Sequence, residues 1–360
     1  MDETYSMLAG LGSKMSINIK LLHNLWGFMQ RLFSAFIVVL AGLSLSLPLA
    51  AKDFQVGLVL DKGGRDDKSF NAAAYRGALE AEKKFGVKIK VLEGRDDNSS
   101  EPMLRSLAQK KFDLIIAVGF SQGEAVKKIA AQYTDRQFVV IDSEVNLPNV
   151  KSVLFEEHEG SFLVGAIAAL KSKTGKLGFI GGMDIPLIRR FLMGYEAGVM
   201  HVNKSAKVIS NFAGVTGEAW NNPPKGKELA LAQISQGADV IFAAAGATGM
   251  GLFDAAEEKK VLAIGVDSNQ NWVKPGFVLT SMMKRVDVAV LKSIEEAKDG
   301  KLAIGVIRYG LASEGVGYAL DEHNAKLLDK DTIAKVDAMK ADIISGKISV
   351  PDYYKKSNGK

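Results

Sequence analysis

The sequence predicts an α/β protein built as two parallel-sheet lobes joined by short crossovers. Three observations carry this. Beyond residue 53, short apolar runs alternate with segments of helical periodicity along the whole chain. One stretch occurs twice: Asp113 opens an apolar run that passes Gly119 and Gly123, enters a helical segment and ends in 138–142 with Asp142-Ser143. Its second copy opens at Asp239, passes Gly246 and Gly249 and ends in 262–267 with Asp267-Ser268, so that the paired aspartates stand 29 and 28 residues apart. Finally, no Gly/Ser-rich or Pro-rich tether separates the halves, which leaves short strand crossovers near 155–157, 268–284 and 307 as the hinges.

The elements follow in order. Strand-like runs cover 55–61, 87–92, 113–118, 137–142 and 152–155, then 176–180, 207–211, 239–244, 261–267 and 277–282. Helical periodicity fits 69–85, 103–110, 123–134, 160–172, 185–202, 224–236, 249–259, 286–297 and 331–345. The expected division is a leader at 1–51, a first lobe of 52–156 plus about 270–304, and a second lobe of 157–269 plus about 305–360.

The N-terminus differs from the rest. Lys14, Lys20 and Arg31 precede an apolar run over 32–49, and Ala50-Ala51 follow. That order of basic, apolar and small residues reads as a cleavable signal peptide, with a retained membrane anchor as the rival. The chain has no cysteine, which excludes disulfides, thiolate metal sites and a lipid-modified cysteine. A free periplasmic protein, a monomer, is expected. The net charge of +5 is spread along the chain among acids, so no nucleic-acid partner is expected.

Ligands of open α/β sheets bind at the carboxyl ends of the strands, where Asp142 and Asp267 fall. An aspartate there is either a turn former or a ligand. As a ligand it accepts from two vicinal hydroxyls, which suits a sugar or a ribose. Lys284, after the last apolar strand, is a surface lysine, a partner of one of these carboxylates or a donor to the ligand. The segment 61–71 holds Asp61, two glycines, Asp66, Asp67, Phe70 and Asn71 at the first strand-to-helix turn. Phe70 is either a wall that stacks on a planar ligand or a staple against the helix. Phe191 stands four residues from Leu187, and Trp220 opens a helix of the same half; each reads as core or as cleft lining.

No phosphate-binding glycine loop of the usual spacing occurs, and three aspartates at the first turn oppose a phosphate. No histidine pair has metal-ligand spacing, and no nucleophile elbow occurs. Binding without chemistry, no cofactor and no metal are therefore expected. A sugar or other small diol is the alternative ligand. A nucleoside-cleaving hydrolase built on Asp61, Asp66 and Asp67 is the remote enzymatic alternative.

The segments Val56-Gly57-Leu58-Val59 and 61–71 open a resemblance that continues through 180–186, 191–198, Trp220-Asn221-Asn222-Pro223, 245–251, 264–270 and Thr280-Ser281-Met282-Met283-Lys284. In these blocks the chain resembles the basic membrane protein family, the PnrA-like nucleoside-binding components of ABC transporters. The resemblance implies a type I periplasmic binding protein with two Rossmann-like lobes. It implies Phe70 and Phe191 around a purine, Asn71 and Asp142 reading the base or lining its pocket, and Asp267 and Lys284 on the ribose. It further implies backbone access at Gly246, assistance from Asp61, and a permease and an ATPase on separate chains.

Overall fold

The structure is a computed structural model that describes residues 23–29, 53–94 and 98–357. Residues 23–29 are helical and belong to a separate unit, Met1–Lys52. The leader's apolar run and the expected cleavage at Ala50 or Ala51 lie outside the described residues. Among the described residues no helix is long and apolar enough to cross a membrane.

The first sheet contains β1 (Gln55–Leu60), β2 (Lys88–Glu93), β3 (Leu114–Val118), β4 (Gln137–Ile141), β5 (Val150–Phe155) and β11 (Gly305–Tyr309), in the order β11-β5-β4-β3-β1-β2. The second contains β6 (Lys176–Met183), β7 (Lys207–Gly214), β8 (Val240–Ala244), β9 (Leu262–Asp267), β10 (Val278–Lys284) and β12 (Val316–Tyr318), in the order β12-β10-β9-β8-β6-β7. All pairings are parallel except β10 with β12. In each lobe the first five strands run 2-1-3-4-5, so the order reverses between β1 and β3 and again between β6 and β8. Open sheets bind ligands at such reversals, beyond the carboxyl ends of the strands. β3 and β8 are buried along their full length, as strands covered by helices on both faces must be.

The repeat read in the sequence is a structural repeat. Asp142 directly follows β4 and Asp267 ends β9, and both adopt left-handed backbone, with φ of 66° and 63°. That conformation is uncommon for a residue with a side chain and recurs here at matched positions. Asp113 and Asp239 mark the opposite ends of their sheets. Asp113 accepts from the Gln55 amide at 2.8 Å, and Asp239 from the Lys173 and Thr174 amides.

The expected lobe boundaries need correction. β10 pairs with β9 in the second sheet, so 270–284 does not belong to the first lobe. β11 pairs with β5 in the first sheet, so the first lobe extends past 304 to Tyr309. What crosses over between them is α8 (Val286–Lys298), which packs on α1 (Phe70–Phe85). Gly77 permits that approach, since a Cβ there would stand 2.2 Å from the Asp287 carbonyl oxygen. β11 escaped the sequence reading because alternate residues are exposed at a sheet edge, which leaves no continuous apolar run.

The crossovers therefore lie at Glu156, Arg285 and 310–315. They are tied together: Glu156 N–H donates to Tyr309 O at 2.9 Å, and Arg285 N–H to Gly315 O at 2.8 Å. In the second lobe α4 (Glu157–Lys171) and α5 (Pro186–Val202) cross closely on glycines. A Cβ at Gly198 would lie 2.0 Å from the Phe162 carbonyl oxygen. Gly198→Ala is expected to force the helices apart and lower stability by about 1–3 kcal/mol, despite alanine's better helix propensity. A lower urea midpoint checks this; an unchanged one contradicts it.

Candidate functional site

One cavity between the lobes gathers all nine residues singled out from the sequence: Asp61, Phe70, Asn71, Asp142, Phe191, Trp220, Gly246, Asp267 and Lys284. It is partly open to solvent rather than sealed. Gly63, Asp67, Gly119, Phe120, Leu187 and Ile188 also line it and were not singled out as ligands.

Lys284 organises the interior. Its Nζ lies 2.6 Å from Asp142 Oδ2 and 3.0 Å from Glu157 Oε1, and its side chain is 2% exposed. The same ammonium stands 5.2 Å from the Phe70 ring centre and 5.7 Å from that of Phe191. Two rings from opposite lobes thus flank one cation. Burial opposes the charge on Lys284, yet the carboxylates of Asp142, Glu157 and Asp267 hold its ammonium above the usual lysine range. Phe191 meets both of its sequence readings, since it lines the cavity and also packs against Phe242.

The aspartates are held in an environment that penalises their charge. Burial pushes Asp142 up to about 6, against the pull of Lys284. Burial pushes Asp267 up to about 7, against Lys284 and the Ser69 hydroxyl, which donates to Asp267 Oδ2 at 2.5 Å. Asp61 is likewise raised to about 6 by burial. Asp142 Oδ1 is buried and accepts no hydrogen bond. An unsatisfied carboxylate oxygen of this kind is costly, and a ligand donor would relieve it.

Asn71 lines the cavity, and its amide is engaged within the protein. Its amide donates to Asp61 Oδ1 at 2.7 Å and to Asp67 Oδ2 at 3.1 Å, so neither amide hydrogen is spare. It orients Asp61, whose Oδ1 also accepts from the Gly63 amide at 3.0 Å. Asp67 caps α1, accepting from the amides of Ser69, Asn71 and Ala72. Asp66 is exposed, and the three acids do not converge on a metal-sized site. Among the described residues the one group with metal-like spacing is Glu156, His158 and Asp352, where Arg190 already pairs with both carboxylates.

The aromatic mouth joins the lobes. Phe120, after β3, meets Trp220 edge-to-face with ring centres 6.1 Å apart. Trp220 sits directly on Gly182, where a Cβ would lie 2.1 Å from the indole. Gly246 takes φ of 57°, which brings bare backbone to the cavity wall. Further bonds cross the cleft: Ser268 Oγ donates to Ser69 O at 2.7 Å, and Gln270 Nε2 to Lys68 O at 3.0 Å. The lobes are therefore closed on each other.

A sequence model of the PnrA-like ABC transporter substrate-binding proteins matches residues 54–353. The chain belongs to that family. This PnrA-like chain is 36% identical over 331 residues to the CD4+ T-cell-stimulating antigen of Listeria monocytogenes, covering 84% of this chain and 89% of the relative. It is 34% identical over 322 residues to the ABC transporter nucleoside-binding protein BmpA of Lactococcus lactis, covering 83% and 89%. A solved ABC transporter solute-binding protein from Aeropyrum pernix matches the PnrA-like fold with a TM-score of 0.76 and 30% identity, over 83% of this chain and 94% of that one. The family is one of substrate-binding proteins.

Besides those further lining residues, sequence reasoning missed the ones behind the cavity. Glu157 precedes the expected helix start, so its contact with Lys284 was invisible. Arg190 did leave a signal. It lies three residues after Leu187 and beside Phe191, a charged residue on an apolar helical face.

Proposed function

We propose that this protein captures a purine nucleoside in the interlobe cavity and presents it to a permease and an ATPase on separate chains. The observation that carries the reading is the placing of Phe70 and Phe191, from opposite lobes, around a cavity that also holds Asp142, Asp267 and Lys284. Flat rings suit a base, and paired carboxylates with an ammonium suit a ribose diol. The family membership and the name of the Lactococcus lactis relative support a nucleoside.

The purine lies between the two rings, and Asp267 and Lys284 hold the ribose hydroxyls. Asp61, oriented by Asn71, and the unpartnered Asp142 Oδ1 take donors from the ligand. No phosphate fits among these carboxylates. Binding without chemistry is the reading that membership of a substrate-binding family supports. The protein acts outside the inner membrane, exported by the leader. Its lack of cysteine leaves it free of a thioether-linked lipid.

Phe70→Ala tests the stacking. It is expected to weaken inosine binding by about 1–3 kcal/mol, the range for loss of one base–aromatic stack. Equal affinity of Phe70→Ala and the parent protein for inosine would remove the aromatic sandwich from the reading.

A further inference from the structure

A second constellation lies behind the cavity, and the binding reading makes no use of it. At its centre is Arg190, whose side chain is 2% exposed. A guanidinium has five N–H donors, and here all five are engaged. Nε donates to Asp352 Oδ1 at 2.8 Å, and one Nη2 hydrogen to Asp352 Oδ2 at 3.0 Å. The other Nη2 hydrogen goes to Glu156. Nη1 donates to the Phe155 carbonyl oxygen and, at 2.8 Å, to Glu157 Oε2.

These partners come from three parts of the chain. Phe155, Glu156 and Glu157 are the first crossover between the lobes. Arg190 is on α5 in the second lobe. Asp352 belongs to the C-terminal segment, just before the short helix α10 (Tyr353–Ser357). Tyr354 of that helix stacks beneath the guanidinium, its ring centre 5.1 Å from Cζ.

The far carboxylate oxygen of Glu157 completes a path to the cavity. Glu157 Oε1 holds Lys284 Nζ at 3.0 Å, and Lys284 holds Asp142 at 2.6 Å. Every link is buried: the side chains of Glu157 and Asp352 are 1% and 6% exposed. With side chains this little exposed, each charge is sensitive to the balance on the next. Were Arg190 less firmly held by Asp352, it would draw more closely on Glu157 and Glu156. Glu157 would then bind the Lys284 ammonium less strongly, and the ammonium would move relative to Asp142.

We propose that Asp352 is a positioning residue for the binding cavity. Acting through Arg190 and Glu157, it sets where the Lys284 ammonium stands, so the C-terminal segment is part of the binding apparatus although it does not line the cavity. The effect on affinity rests on the nucleoside reading; the effect on Lys284 does not.

The test uses the full chain with Asp352→Asn, which keeps the shape of the side chain and removes its charge. Lys347→Ala, an exposed change in the same C-terminal region, is the control. In ligand-free protein carrying lysine labelled with carbon-13 at Cε, Asp352→Asn is expected to shift the Lys284 Cε resonance, and Lys347→Ala to leave it in place. Calorimetry with inosine is expected to show affinity reduced about tenfold in Asp352→Asn and unchanged in Lys347→Ala. Glu157→Gln cuts the path, so adding Asp352→Asn to it is expected to weaken binding no further. An unmoved Lys284 resonance overturns the proposal whether or not nucleosides bind. Additive losses in the double variant overturn it too. A shifted resonance in a protein silent to inosine leaves the relay standing and removes the nucleoside reading instead.

Discussion

Lys284→Met is expected to abolish nucleoside binding and to lower stability by about 3–5 kcal/mol, the usual consequence of removing one partner of a buried ion pair. The reason is geometric. Asp142 and Glu157 share this ammonium at 2.6 and 3.0 Å, and Asp267 also leans on its charge. Methionine fills much of the volume but leaves those carboxylates without their cation. The loss has a defined pH dependence. Without the ammonium, burial raises the folded-state values of Asp142 and Asp267 further above the ordinary aspartate range. The folded variant then holds protons that the unfolded chain has released, so its stability falls as pH rises from about 4 through neutrality. Urea denaturation at pH 5 and pH 8 checks this. A variant equally destabilised at both values, or not destabilised at all, contradicts the assigned role.

Asp267→Asn is expected to separate binding from stability. Two charge-assisted bonds to a diol, each worth roughly 1.5–3 kcal/mol, make a loss of a hundredfold or more in affinity the expected result. Asparagine tolerates the left-handed backbone at this position, so the change does not strain the turn. The ligand-free protein is expected to become more stable at pH 8. Burial pushes the carboxyl of Asp267 up to about 7, from an ordinary value of 3.8. Between those values the folded state binds the proton more tightly than the unfolded state, so the aspartate subtracts stability as pH rises through that window. Removing the charge removes that penalty. Tight inosine binding by Asp267→Asn, or a lower urea midpoint at pH 8, contradicts this.

The two lobes and their shared cavity were legible because the chain repeats itself. The matched runs from Asp113 and Asp239 became β3 and β8, and the matched Asp142 and Asp267 became two left-handed turns facing one space. Strand ends of the same topology point the same chemistry at the same place, which is why residues read one by one converge. The lobe boundary was not legible. β10 resembles any buried strand by composition, and nothing local says which sheet it joins. β11 and β12 are short edge strands without an apolar run. The part played by Asn71 depended on where its two amide hydrogens point, and spacing carries no such information. Arg190, Glu157 and Asp352 are far apart in the chain and meet only at the crossover.

The most direct measurement is a calorimetric titration of the purified protein with inosine, guanosine, adenosine, uridine and ribose. The expected result is tight binding of the purine nucleosides, with ribose silent and uridine weaker, since the rings of Phe70 and Phe191 and the diol contacts of Asp267 and Lys284 act together. A folded protein silent to every nucleoside, or one that binds ribose as well as it binds inosine, would contradict capture of a purine nucleoside in this cavity.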